Sequence, residues 1–174
     1  MNLKKQTSVI ALAVLTALAM TVLVVSSQNI QAKQPSTSSN ARERTIVGAW
    51  RTVVTPINCQ TGVQVAPPFR GLFTFNEGGT MSEYGIGPGS SPALRSPGHG
   101  VWQREQGWQD YSLAFTFYRY DAGGLFIGSQ KVTANLELGA SGDEFTTNSV
   151  VEVFDANDNK IGTFCATAAG TRFE

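Results

Sequence analysis

Residues 48–59 read Gly-Ala-Trp-Arg-Thr-Val-Val-Thr-Pro-Ile-Asn-Cys, and residues 165–172 read Cys-Ala-Thr-Ala-Ala-Gly-Thr-Arg. In the first stretch a tryptophan leads and a cysteine closes; in the second a cysteine leads and an arginine closes. Laid side by side and antiparallel, they bring Trp50 opposite Arg172 and, within a residue or two of the same register, Cys59 opposite Cys165. The stretches lie near the two ends of the chain that follows the leader. Pairing of a first strand with a last one is what closes a sheet into a barrel.

The sequence between them fits that closure. Aromatic and β-branched runs alternate with Gly, Pro, Asn and Asp, and no window sustains helical periodicity. The pattern predicts eight strands: Ile46–Thr55, Phe69–Phe75, Thr80–Gly85, Gly100–Glu105, Asp110–Tyr120, Gly128–Leu138, Glu144–Phe154 and Lys160–Arg172. In the sixth, Val132, Ala134, Leu136 and Leu138 alternate with Lys131, Thr133, Asn135 and Glu137, which gives one dry and one wet face. In the fifth, Tyr111, Leu113, Phe115 and Phe117 make the drier face and are expected to point inward.

Connection lengths give the barrel two unlike ends. Asn76–Gly79, Gln106–Gln109 and Gly139–Asp143 are short and supply the glycine that tight hairpins need. At the opposite end lie the longer segments Pro56–Pro68, Ile86–His99 and Asp121–Ile127, with Asp155–Asn159 the exception. The expected shape is an up-and-down cup, shut at the short-turn end and open at the other. Trp50 and Arg172 fall at the shut end, where a guanidinium can stack on an indole. Cys59 and Cys165 fall toward the mouth.

The N-terminus carries an address. Lys4 and Lys5 precede a run from Val9 to Val25 that is apolar or small apart from Thr16 and Thr21, with small-residue cleavage options after Ser27 or Ala32. Residues 1–32 are read as a signal peptide, residues 33–45 as a flexible linker, and residues 46–174 as the barrel domain. The protein is therefore expected to be secreted or periplasmic, and to touch membrane only through the leader if it stays uncleaved. Two cysteines in an exported chain are expected to pair. Closing a loop of this length contributes roughly 4–5 kcal/mol in the chain-entropy model.

Charge excludes one class of partner. Of 13 basic residues two lie in the leader, leaving 11 against 13 acidic ones, a net charge near −2 with the signs interspersed. Nucleic-acid binding needs concentrated Lys and Arg, so it is not expected. His99 is the only histidine and no cysteine pair has ligand spacing, so neither a metal centre nor a cofactor is expected. A nucleophilic triad would have to combine His99 with Ser90, Ser91 or Ser96 and Glu83, and the chain has no G-x-S-x-G elbow. The Asp155, Asn157, Asp158, Asn159 cluster lacks the glycine and terminal glutamate of a calcium loop and reads as a hairpin turn.

The candidate ligand contacts are Tyr84, His99, Trp102, Tyr111, Phe115, Phe117 and Arg119. The aromatic ones crowd the third to fifth strands, as in an aromatic-lined small-molecule site, though the same rings would serve as core filling. Arg119 ends the fifth strand near the mouth, where a carboxylate-bearing ligand would need it; otherwise it is a solvated strand end.

Gly48-Ala49-Trp50 opening the first strand, a basic residue ending the last, and an eight-strand meander resemble the calycin barrels: lipocalins, fatty-acid-binding proteins and avidins. The resemblance covers Ile46 to Glu174. Asn58–Gly62 and Arg95–Trp102 are similar to stretches of bacterial secreted lipocalin-like proteins that have no assigned function. Asp155–Asn159 is too short for the helix that lipocalins carry before their last strand, and their T-D-Y signature is absent. The resemblance gives Gly48, Trp50 and Arg172 structural roles, and implies a carrier of a small apolar or amphipathic molecule. Two alternatives remain open: a small-barrel enzyme of the isomerase or cyclase type, and a filled barrel that serves as a structural or interaction module.

Overall fold

The computed structural model describes residues 44–173. The leader and residues 33–43 of the linker lie outside the described residues. Eight strands follow one another: β1 (Gly48–Ile57), β2 (Phe69–Phe75), β3 (Thr80–Gly85), β4 (Gly98–Arg104), β5 (Asp110–Tyr120), β6 (Phe126–Leu138), β7 (Glu144–Phe154) and β8 (Lys160–Arg172). Each pairs antiparallel with the next, and β1 pairs with β8, so the sheet is a closed barrel. Closure leaves no strand edge free to recruit another chain. Among the described residues the only helical piece is a 3-10 turn at Pro92–Leu94 in the β3–β4 connection, where the Ala93 N–H donates to Ser91 Oγ.

The β1–β8 ladder has the register that the end strands predict. Trp50 stands opposite Arg172 and Ile57 opposite Cys165. Cys59 lies two residues beyond Ile57, and its bond to Cys165, with 5.1 Å between the Cα atoms, crosses the ladder diagonally. Two strands begin earlier than the composition suggests. β4 starts at Gly98, inside a Gly-His-Gly sequence that reads as loop, because Gly98 already pairs with Glu83 of β3. β6 starts at Phe126, because Phe126 pairs with Tyr120 across an irregularity in the β5–β6 register.

Alternation sorts the side chains. β3 turns Met81, Glu83 and Gly85 inward, and β5 turns Tyr111, Leu113, Phe115 and Phe117 inward. The shut end is filled solid. Trp50, Phe75, Tyr111, Met81, Leu138 and Ile46 are all but inaccessible. Phe145 meets the Trp50 ring edge-on at 4.9 Å and packs at 6.2 Å from Phe73. Burying each such side chain contributes about 1.5–3 kcal/mol.

Arg172 locks this floor from beneath. Its guanidinium lies 4.1 Å from the centroid of the Trp50 ring. It donates to the Val47 carbonyl at 2.7 Å, the Thr45 carbonyl at 2.5 Å and the Gly142 carbonyl at 2.8 Å, and Asp143 lies 3.5 Å away. One side chain thus ties the approach to β1 to the β6–β7 turn. Gly48 is required here: its φ is +132°, and a Cβ would lie 2.7 Å from Arg172 Nη1. Trp50 Nε1 in turn donates to the Ile46 carbonyl at 2.8 Å, so the indole nitrogen is satisfied inside the core. Arg44, at the end of the linker, already stacks over Trp108.

Candidate functional site

Above the floor the barrel is not full. A cavity of about 70 Å³ is lined by Val54, Phe73, Leu113, Phe115, Phe117, Val132, Val151, Ala166 and Ala168, together with Glu83, Thr147 and Ser149. It exists because the inward side chains of β8 are small here, and Ala166 and Ala168 cannot reach the rings of β5. One water needs about 10–15 Å³ on this scale, so the space holds several waters or a small organic group.

Glu83 is its most polar wall. The alternation of β3 forces this side chain inward, where it is 6% exposed. Glycines make the room: a Cβ on Gly98 would sit 2.8 Å from Glu83 Oε2, and one on Gly85 would sit 3.1 Å from Oε1. A buried carboxylate needs a partner. That partner is Arg95, from the β3–β4 connection, whose Nη2 lies 2.5 Å from Oε2. Arg95 also donates to the carbonyls of Gly85 and Ser96, and its guanidinium covers the Phe117 ring at 3.5 Å. Burial pushes the Glu83 carboxyl above its ordinary range, and the attraction and hydrogen bond of Arg95 only partly oppose that. The ion pair is a latch: it holds the connection across the mouth and roofs the cavity. Ser96 fixes the same connection to β5, giving its N–H to the Tyr118 carbonyl while its Oγ accepts from the Tyr118 N–H.

Outside this latch lies a second hollow, of about 320 Å³. The β3–β4 connection supplies Gly87, Ser90, Ser91, Leu94 and Arg95, and the ends of β5 and β6 supply Phe117, Arg119, Tyr120, Ile127 and Gln130. Phe117 and the Arg95–Glu83 pair separate it from the inner cavity.

The sequence-derived contacts fall in three places. Phe115 and Phe117 line the cavity, and Arg119 lines the outer hollow. Tyr111 and Trp102 belong to the floor. The Tyr111 hydroxyl donates to the Trp108 carbonyl, and Trp102 Nε1 donates to the carbonyls of Asn76 and Thr80. Tyr84 and His99 take the outward positions of β3 and β4, and His99 is exposed, so His99, Glu83 and Arg119 do not converge. Ser90, Ser91 and Ser96 lie on the β3–β4 connection, and the outward His99 makes no hydrogen bond to any of them. At Asp155–Asn159 the Asp155 carboxylate accepts from the N–H groups of Asn157 and Asn159, which is turn chemistry. Among the described residues no group of three or more acidic, His or Cys side chains is placed to hold a metal.

Arg95 is the residue that sequence reasoning missed, and a signal for it was present. Met81, Glu83 and Gly85 share one face of β3, so Glu83 had to be buried and a cation had to answer it.

No protein-family model matches the chain, and no curated protein matches it either. The closed eight-strand antiparallel barrel is compatible with a calycin-like fold.

Proposed function

We propose that this is an exported barrel that binds a small apolar or amphipathic molecule in its upper half. The observation that carries the reading is the apolar cavity left open above a solid floor and roofed by a polar latch. A packed core closes voids, because each one forfeits dispersion contacts. A void kept at the mouth end, beside a connection whose only ion pair among the described residues is Arg95–Glu83, is arranged for an occupant. Export is supported by the Cys59–Cys165 disulfide, a bond that persists in oxidising compartments.

The size of the cavity favours a second reading. About 70 Å³ is far below the ~300–1,000 Å³ of drug-sized sites, as a filled barrel acting through its outer surface would have. Native and denaturing mass spectrometry of protein purified from an exporting host separates the two. The carrier reading expects a native mass above the bare chain by the mass of a small molecule. A bare native mass, together with no xenon uptake by the cavity, hands the case to the filled barrel.

A further inference from the structure

The outer hollow contains an arginine that nothing answers. Arg119 is half-buried; its Nη1 is buried with no hydrogen-bond partner, and its side chain makes no hydrogen bond or ion pair among the described residues. Every other buried or half-buried guanidinium in the barrel interior or at its ends is engaged: Arg172 by carbonyls and Asp143, Arg95 by Glu83 and carbonyls. A buried guanidinium donor left unmade is costly, more so than a neutral one.

The surroundings select what would answer it. The hollow is lined by two arginines and no acid. Glu83 neutralises Arg95 from the barrel side, which leaves the charge of Arg119 uncompensated. Ser90 and Gln130 add a hydroxyl and an amide with no side-chain bond of their own, and the Ser91 hydroxyl, which accepts from Ala93, still has its proton to donate. Leu94, Phe117 and Ile127 provide apolar wall. Donors along one wall, one free positive charge and an apolar flank make a site for an oxyanion joined to a short apolar body.

We propose that the hollow beneath the β3–β4 connection is an anion subsite, in which Arg119 takes the carboxylate head of a short amphipathic ligand whose tail reaches past Phe117 toward the cavity. This rests on the carrier reading and names the class of its ligand. Arg119 is the head-group contact, and the Arg95–Phe117 stack is the partition that the tail passes.

The test compares hexanoate, 1-hexanol and inorganic phosphate by calorimetric titration of the disulfide-bonded protein. Hexanoate is expected to bind at least about tenfold more tightly than 1-hexanol, the scale of a charge-assisted hydrogen bond. Arg119→Gln should bring the ratio of the two affinities toward one, while Arg119→Lys, which keeps the charge, retains most of it. Equal affinities in the parent protein overturn the subsite and leave the carrier reading standing. Failure of both hexanoate and 1-hexanol to bind takes down both. Phosphate binding as tightly as hexanoate at Arg119 overturns the amphipathic class in favour of a free inorganic anion.

Discussion

The two ends of the barrel each stack an arginine on an aromatic ring, and they use it oppositely. At the floor Arg172 covers Trp50, and its donors go mainly to backbone carbonyls, which are fixed and do not titrate. At the mouth Arg95 covers Phe117, and its main partner is a buried carboxylate whose affinity for a proton is raised. The floor is packed with fully buried side chains, whereas the mouth keeps a cavity and an unanswered guanidinium. On the proposed carrier reading, similar chemistry makes a permanent closure at one end and a releasable one at the other. What decides is the acceptor: neutral backbone in one case, a group that can change charge in the other.

Truncating the plug should produce the largest effect. Trp50→Ala is expected to cost about 3–5 kcal/mol in denaturant unfolding, since it empties the floor and removes the ring on which the Arg172 guanidinium stacks. A loss below ~1 kcal/mol would mean that the floor is not the anchor described. Opening the Cys59–Cys165 bond with a paired Cys→Ser variant should cost about 2–5 kcal/mol, read as a lower unfolding midpoint.

A pair of substitutions on β8 compares the ends directly. Gly170→Ala at the floor places a Cβ 2.3 Å from the Phe145 ring, so overpacking should destabilise by about 1–3 kcal/mol. Ala166→Val, four residues away on the same inward face, fills part of the cavity and should be neutral or stabilising by up to ~1 kcal/mol while weakening uptake of 1-hexanol. Equal destabilisation by both would erase the distinction between a filled and an open end.

The smallest effect is a pH dependence. Burial raises the Glu83 pKa in the folded protein above its ordinary value of 4.5, so the folded state holds that proton more tightly than the unfolded chain does. The stability this group contributes is full below the unfolded value and is lost as pH climbs through the folded one. On acidification toward about 4.5, the parent protein should therefore gain thermal stability relative to Glu83→Gln, even as the neutral carboxyl loosens its hold on Arg95. Glu105, Glu152 and Asp155, whose carboxyls hydrogen bonds hold below their ordinary range, are common to both proteins and drop out of the difference. Parallel melting profiles across that range would show that the latch does not titrate.

Much of the architecture could be read in advance, because strand parity and turn glycines are local signals. β2, β3, β5, β7 and β8 have the bounds that alternation and punctuation predict, and the Trp50–Arg172 register follows from the end strands alone. The site was less legible. Phe115 and Phe117 could be placed inward from the pattern of their own strand, but β4, with Gly98 and Gly100 on its inner positions, offers no apolar alternation to read. Its outward His99 and floor-level Trp102 could be assigned only once its pairing to β3 and β5 was known. Arg95 lies in a Ser-Pro-Gly stretch that locally reads as loop. Its importance comes from a carboxylate twelve residues earlier, a tertiary relation that periodicity does not encode.

Ring closure also sets an order of events in time. The β1–β8 ladder joins segments more than a hundred residues apart, and the disulfide spans 106. Contacts of such separation form late, since the loop entropy is spent before they return anything. In a chain threaded through a membrane from its N-terminus, Cys165 would emerge almost last, when Cys59 has long been exposed to oxidant. On the export proposed above, the first cysteine would wait as a free thiol until the final strand arrives, and its early oxidation with another thiol would be a hazard of assembly.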